Sequence, residues 1–159
     1  MGRDGCLMSS RLGVSASAAS VSPGQNLFEF GQARVNGQAR LNGSDVSHFV
    51  CDESQFFSCS QVDQLAAVVD LLGVSVFAFG LMTTFQGELF DGSRRLVELS
   101  DRIIAVDTLD LCSCGEVACM NARFVDGTQV KEGEINVVGD ILPGEVSYSS
   151  VCRRCWMGY

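Results

Sequence analysis

Two pairs of cysteines constrain how the C-terminal part of this chain can fold. Cys112 and Cys114 are separated by one residue, Cys152 and Cys155 are separated by two, and 37 residues lie between the pairs. Four thiolates brought together satisfy the tetrahedral coordination of a structural Zn²⁺, and such a closed site has no open position for catalysis. We therefore predict that these four cysteines form one structural zinc site. Free buried thiols are the alternative interpretation.

Composition narrows the setting and the partners. The chain opens Met-Gly-Arg-Asp-Gly-Cys without the continuous apolar block of a signal peptide, so we expect a cytoplasmic protein with reduced or metal-bound thiols. The longest apolar run, residues 74–82, is far shorter than the ~20 residues of a membrane helix, and no membrane association is expected. A net charge of −8 argues against a nucleic-acid partner, because that affinity depends on Lys and Arg. A small substrate or a protein is the expected partner.

Residues 46–80 are predicted to form a strand, a helix and a second strand. Residues 46–51 favour a strand, residues 61–72 carry apolar side chains at helical spacing, and residues 74–80 are again apolar. Gly73 is expected to end the helix. This order is typical of a βαβ unit, whose ligands bind beyond the carboxyl ends of its strands.

Ser60 is predicted to cap that helix, with Asp63 in the capping-box position. Asp52 and Glu53 follow the first strand directly, so we expect them to meet the loop of residues 81–90 at the carboxyl edge of the sheet.

The rest of the chain divides at a change of composition near residues 108–111. A second helix is predicted at residues 92–100 and a strand that extends the sheet at residues 102–106. We predict an α/β domain over residues 1–107, of which residues 1–45 read as loops with one short helix, and a zinc-binding domain over residues 108–159.

Three polar positions bear on chemistry. The Asp52-Glu53 pair has the form of a Walker B site, in which one carboxylate binds Mg²⁺ and the next accepts a proton, although a solvated turn is the alternative. His48 is the only histidine and is interpreted as structural, since no serine or cysteine nucleophile motif accompanies it. Lys131 is the only lysine, and its neighbours Val130 and Glu132 exclude it from a G-x-x-x-x-G-K-[ST] loop.

Five segments in the same order resemble the type II thymidine kinases. They are FVCDESQFF, VSVFAFGLMTTFQGELFDGS, LCSCGEVACMNARF, EGEINVVGD and YSSVCRRCW, and the similarity covers about residues 46–159. The resemblance implies a partial P-loop (RecA-like) parallel sheet in an α/β fold, with a small C-terminal zinc-binding lasso domain. It also implies ATP-dependent phosphorylation of the thymidine 5′-hydroxyl.

The resemblance assigns roles to individual residues. Glu53 matches the general base and Asp52 the acid that binds Mg²⁺. Phe85 matches the ring that stacks on thymine, although core packing is its alternative role. The remaining substrate-binding positions are apolar walls and lasso residues around the same nucleoside: Phe56, Leu81, Ile135, Val137 and Tyr148.

The cofactors implied by the resemblance are structural zinc and Mg²⁺ with ATP, with thymidine and ATP as substrates. A homotetramer and a role in pyrimidine salvage for DNA synthesis are implied by analogy. Because these 159 residues contain no Walker A loop, we expect no measurable thymidine phosphorylation by them alone. The alternative functions are a catalytically inactive, zinc-bearing nucleoside-binding or regulatory module, and a zinc-ribbon interaction protein unrelated to kinases.

Overall fold

The computed structural model describes residues 4–9, 13, 15–37, 46–106, 110–135 and 145–159. Its strands are β1 (Asp4–Ser9), β2 (Ser15–Ala19), β3 (His48–Cys51), β4 (Ser75–Ala78), β5 (Met120–Val125), β6 (Thr128–Val130) and β7 (Val146–Val151). Its α-helices are α1 (Leu27–Val35), α2 (Cys59–Leu72), α3 (Asp91–Leu99) and α4 (Arg153–Met157), and Ser54–Phe56 forms a 3₁₀ turn.

The N-terminal region contains more regular structure than the sequence predicted. β1 and β2 pair as an antiparallel ladder from Asp4 opposite Ala19 to Ser9 opposite Ser15, so the prediction of loops for this part is wrong. The ladder is held by backbone hydrogen bonds, which small residues such as Ser and Ala permit without producing a hydrophobic pattern. The expected short helix is α1, whose cap Asn26 accepts hydrogen bonds from two backbone N–H groups of the first turn.

Helix α2 confirms the prediction for residues 61–72 and begins two residues earlier. Gly73 ends it in the left-handed conformation, with φ of 66°. The predicted cap at Ser60 is wrong, because Ser58 accepts from the backbone N–H of Gln61 while the Gln61 side chain accepts from that of Ser58. Glutamine completes a capping box as well as an acid does, and this reciprocal pair moves the start of the helix.

The mixed α/β fold is confirmed. β3 and β4, which flank α2 in the chain, form a two-stranded parallel sheet. α1 packs on α2 where Gly31 faces Val68, and a Cβ at Gly31 would come within 2.9 Å of a Val68 methyl group. The apolar residues buried around this contact include Leu27, Val62 and Leu65.

Residues 102–106 do not form the predicted strand. They have no regular secondary structure, and the side chains of Ile103, Ile104 and Val106 are exposed. An apolar run adopts strand structure only where a neighbouring strand provides hydrogen-bond partners, and within the described residues none pairs with this one. The second predicted helix is confirmed as α3, within one residue at each end.

The described residues fall into two compact units, one within Met1–Phe49 and Phe57–Phe77, the other within Val50–Phe56 and Ala78–Tyr159. The second contains a three-stranded antiparallel sheet in the order β6-β5-β7. Its small core consists of Cys112, Ala122, Val151 and Cys152. The proposed domain boundary near residues 108–111 stays a prediction. No helix among the described residues is long and apolar enough to cross a membrane.

Candidate functional site

The four predicted metal ligands lie together in the second unit. The sulfur atoms of Cys112, Cys114, Cys152 and Cys155 are all within 4.8 Å of one another, and those of Cys114 and Cys152 are 3.6 Å apart. The first pair lies in a tight turn that Gly115 permits with φ of 88°, and the second pair brackets the start of α4. The structure therefore assembles a ligand set that could hold a metal ion such as zinc.

The electrostatics of this cluster suit a divalent cation. Hydrogen bonds from the backbone N–H groups of Cys114 and Cys152 lower the pKa of Cys112 to about 6. Hydrogen bonding with the Cys114, Cys152 and Cys112 thiols raises the pKa of Cys155 to about 12. One thiolate thus forms readily at neutral pH, whereas a full set of four would be strongly repulsive. A bound metal ion supplies the positive charge that allows all four to ionise.

The two candidate catalytic carboxylates follow β3 directly. Both Asp52 and Glu53 are exposed, and the backbone N–H of Glu53 donates to Asp52 Oδ1 at 3.0 Å. Glu53 has φ of 52°, in the left-handed region that residues other than glycine seldom occupy. Strained backbone of this kind is found preferentially at functional positions. It marks Glu53 as the more constrained of the two.

Gln55 orients the Glu53 carboxylate through a hydrogen bond. This residue was not predicted from the sequence. The Gln55 side chain is 2% exposed; its Nε2 donates to Glu53 Oε2, and its Oε1 accepts from the backbone N–H of Leu81 at 3.1 Å. A Cβ at Gly80 would collide with Gln55 Oε1, so glycine is required there for this side chain to fit. The position of the glutamine in DESQFF, between two carboxylates and two phenylalanines, was the sequence feature that could have indicated its role.

Arg123 organises a second group of predicted site residues. It is 1% exposed, and its guanidinium carbon lies 3.8 Å from the centre of the Phe85 ring. Its Nε donates to the Tyr148 hydroxyl at 2.8 Å, and the strand register places Tyr148 directly opposite it on β7. One terminal nitrogen donates to the carbonyls of Glu134 at 2.8 Å and Ile135 at 3.4 Å. One buried cation therefore contacts three of the residues predicted to bind the nucleoside, Phe85, Ile135 and Tyr148.

The predicted nucleoside-binding residues differ in exposure. Phe85 is 4% exposed, with Arg123 over its ring, so the packing role anticipated as its alternative is present; the stacking role stays a prediction. Phe56 is exposed and contacts the Phe90 ring edge to face at 5.7 Å. Leu81, Ile135 and Tyr148 are exposed, and Val137 lies outside the described residues.

Fold and site together define the class of protein, an α/β protein whose C-terminal part carries a four-cysteine cluster that could hold a metal ion. The family model for thymidine kinase matches residues 18–156 of the chain. The chain therefore belongs to the thymidine kinase family, and an unrelated zinc-ribbon protein is excluded.

Individual relatives agree with this assignment. The chain is 42% identical over 151 residues to the thymidine kinase of Cutibacterium acnes, covering 94% of this chain and 68% of the relative. It is 44% identical over 149 residues to that of Streptomyces coelicolor, covering 92% and 67%. It is 37% identical over 152 residues to that of Enterobacteria phage T4, covering 95% and 72%. The chain thus spans about two thirds of the length of these relatives.

Proposed function

We propose that the protein serves in ATP-dependent phosphorylation of thymidine, in which the γ-phosphoryl group of ATP passes to the 5′-hydroxyl and leaves thymidine monophosphate and ADP. Family membership over residues 18–156 supports the reaction class. The observation that carries the assignment to particular residues is the carboxylate pair after β3, with Glu53 oriented by a buried glutamine.

Glu53 acts as the general base in this proposal. Its carboxylate accepts the proton of the 5′-hydroxyl while that oxygen forms a bond to the γ-phosphorus and the bond to the ADP oxygen breaks. Asp52 would help to hold the Mg²⁺ that accompanies ATP, an ion that would neutralise phosphate charge. Phosphoryl transfer depends mainly on positioning and charge neutralisation, so an oriented carboxylate at a strand end is the type of group it requires.

The base of thymidine is bound by the residues around Arg123 in the same proposal. As the family resemblance implies, Phe85 stacks on thymine, and Phe56 and Leu81 provide apolar walls. Ile135, Val137 and Tyr148 contribute from the segment between the cysteine pairs. The four cysteines bind zinc, which holds both ends of that segment.

The wider role we propose is pyrimidine salvage for DNA synthesis in the cytoplasm, by a homotetramer built from an α/β domain over residues 1–107 and a zinc-binding domain over residues 108–159. Family resemblance is the support for these points.

The test uses the zinc-loaded protein, with thymidine binding measured by calorimetry and phosphorylation measured with radiolabelled thymidine. In a form of the protein that contains a Walker A loop, Glu53→Gln should lower turnover by about 10²–10⁴-fold and leave thymidine binding nearly unchanged, because the side chain keeps its size but loses the base. Glu88→Gln, at an exposed carboxylate of the same unit, is the matched control. A Glu53→Gln variant with more than half of the normal turnover would refute the assigned role.

A second candidate is a nucleoside-binding or regulatory module without turnover. The sole lysine, Lys131, lies 4.0 Å from the centre of the Trp156 ring, a position that does not suit a phosphate-binding lysine. The same two assays separate the candidates. In a form that contains a Walker A loop, thymidine binding with no phosphorylation would favour the module, and failure to prefer thymidine over deoxyguanosine would contradict both.

A further inference from the structure

Trp156 links helix α4, which carries Cys155, to the loop of residues 83–87, which carries Phe85. It is the only tryptophan of the chain and directly follows the metal ligand Cys155. Its indole Nε1 donates to the backbone carbonyl of Phe85 at 3.1 Å. The same side chain packs against the small core formed around Cys112 and Cys152.

The loop is shaped to receive this ring. Gly87 has φ of 84°, and a Cβ there would lie 2.7 Å from Cη2 and 2.9 Å from Cζ2 of Trp156. These distances are too short for any side chain, so the indole rests directly on the loop backbone. Two residues outside the loop also contact Trp156. Gln129 Nε2 donates to its backbone carbonyl at 3.1 Å, and Lys131 lies against its ring.

Two further side chains hold the same loop. Asn121 Nδ2 donates to the carbonyl of Thr83 at 2.9 Å, and Gln86 Nε2 donates to the carbonyl of Gly133 at 3.0 Å. Of these contacts, only that of Trp156 comes from a residue joined covalently to a metal ligand. Its helix, α4, has five residues and is too short to be stable by itself, so its placement depends on Cys152 and Cys155.

We infer that Trp156 is a positioning residue for nucleoside binding, through which metal occupancy at the cysteines sets the affinity for thymidine. With a metal bound, α4 would be fixed and the indole would hold the Phe85 carbonyl, so that the backbone of this loop keeps one conformation. When the metal is absent, the contact is released and the nucleoside must order the loop itself, which weakens binding. The inference rests on the proposed function, since it assigns thymidine to the Phe85 loop.

Trp156→Phe tests the contact because phenylalanine keeps an aromatic ring and removes the N–H donor. Thymidine affinity should fall about 5-fold, which corresponds to about 1 kcal/mol, the usual net value of one hydrogen bond. Zinc content should stay at one per chain. Lys131→Met changes the other neighbour of the ring without touching the loop and should leave affinity unchanged. Equal affinity of Trp156→Phe and the unaltered protein, or an equal loss in Lys131→Met, would overturn the inference.

Chelation provides the coupling measurement. Removing the metal should weaken thymidine binding more in the unaltered protein than in Trp156→Phe, because the variant has already lost the link. A purely structural role would lower the midpoint of unfolding in the variant but leave the two chelation effects equal. Equal effects would therefore refute the coupling.

A readout that needs no nucleoside keeps the inference separate from the proposed function. Hydrogen exchange of residues 83–87 should become faster in Trp156→Phe and after chelation, whereas Lys131→Met should not change it. Failure of the unaltered protein to bind thymidine, with this exchange pattern present, would remove the proposed function and retain the link. Unchanged exchange in Trp156→Phe would remove the link itself.

Discussion

Replacement of Arg123 by methionine should destabilise the second unit by about 2–3 kcal/mol. Methionine has a similar length and remains apolar, so it fills the site without a large cavity. What is lost is the guanidinium, with its hydrogen bonds to the Tyr148 hydroxyl and the Glu134 carbonyl, both at 2.8 Å, and its contact with the Phe85 ring at 3.8 Å.

The magnitude follows from opposing contributions. Two short hydrogen bonds from a charged donor contribute at least about 1.5 kcal/mol each. A desolvated cation over an aromatic face contributes about 1–2 kcal/mol more. These contacts total about 4–5 kcal/mol. Removing the guanidinium also removes the cost of burying its charge, which offsets about 2 kcal/mol of that loss. Tyr148 and Glu134 are exposed, so water can satisfy the oxygens that Arg123 leaves.

Urea unfolding of the zinc-saturated protein, followed by the fluorescence of Trp156 in the same unit, measures this difference. Arg123→Lys separates charge from geometry, because an ammonium keeps the charge but cannot stack and bond in the planar fork of arginine. It should recover less than half of the loss. Arg94→Met, at an exposed position on α3, should stay within about 0.5 kcal/mol of the unaltered protein.

Two results would refute the reasoning. An Arg123→Met variant as stable as Arg94→Met would mean that the buried contacts contribute nothing beyond the cost of burial. An Arg123→Lys variant as stable as the unaltered protein would mean that the charge alone acts and the planar geometry does not.

Three further predictions concern the helix cap, the metal site and a buried thiol. Ser58→Ala should cost about 1 kcal/mol of unfolding free energy and Ser60→Ala close to none, and equal losses in urea unfolding would contradict the observed cap. Cys155→Ser should lower the zinc content measured by mass spectrometry, whereas Cys119→Ser, at an exposed cysteine outside the cluster, should leave one zinc per chain. Burial raises the pKa of Cys51 from 9.0 to about 11, so at pH 8 its thiolate is about 100-fold rarer and iodoacetamide should modify it far more slowly than exposed Cys59. Because the pKa of Cys51 is higher in the folded state than in the unfolded state, the free energy of unfolding should also fall as the pH rises from 9 to 11. Equal alkylation rates of Cys51 and Cys59 would exclude this shift.

The parts of the fold that the sequence predicted well are those specified by local pattern. Helix α2 combines apolar residues at helical spacing with Gly73, and both signals act within the element itself. The four cysteines were found for a similar reason, since their residue type and pairing indicate a metal site before any fold is known. The cap was missed because Ser58 and Ser60 are equally good by residue type, and only the Gln61 contact distinguishes them.

The parts that failed depend on contacts between distant residues. Residues 102–106 have the composition of a buried strand, but strand structure requires partners that a local pattern cannot reveal. Arg123 is one arginine in a short strand, and its sequence neighbours give no indication that it is buried. Its position opposite Tyr148 is a matter of strand register, which depends on the whole sheet.

The second unit has a small core, so its order depends on two other features. One is the cysteine cluster and the other is Arg123. Two of the four core residues, Cys112 and Cys152, also belong to the cysteine cluster that could hold a metal ion, so a metal there would act on the same residues as apolar burial. A core of this size contributes little stability without a metal or a comparable cross-link. The segment at Glu134 and Ile135 is held instead by Arg123 on the central strand β5, through bonds that do not involve the cysteines. A metal held by the four cysteines would therefore order the helix that carries Trp156, and the arginine orders the backbone on which the proposed nucleoside site depends.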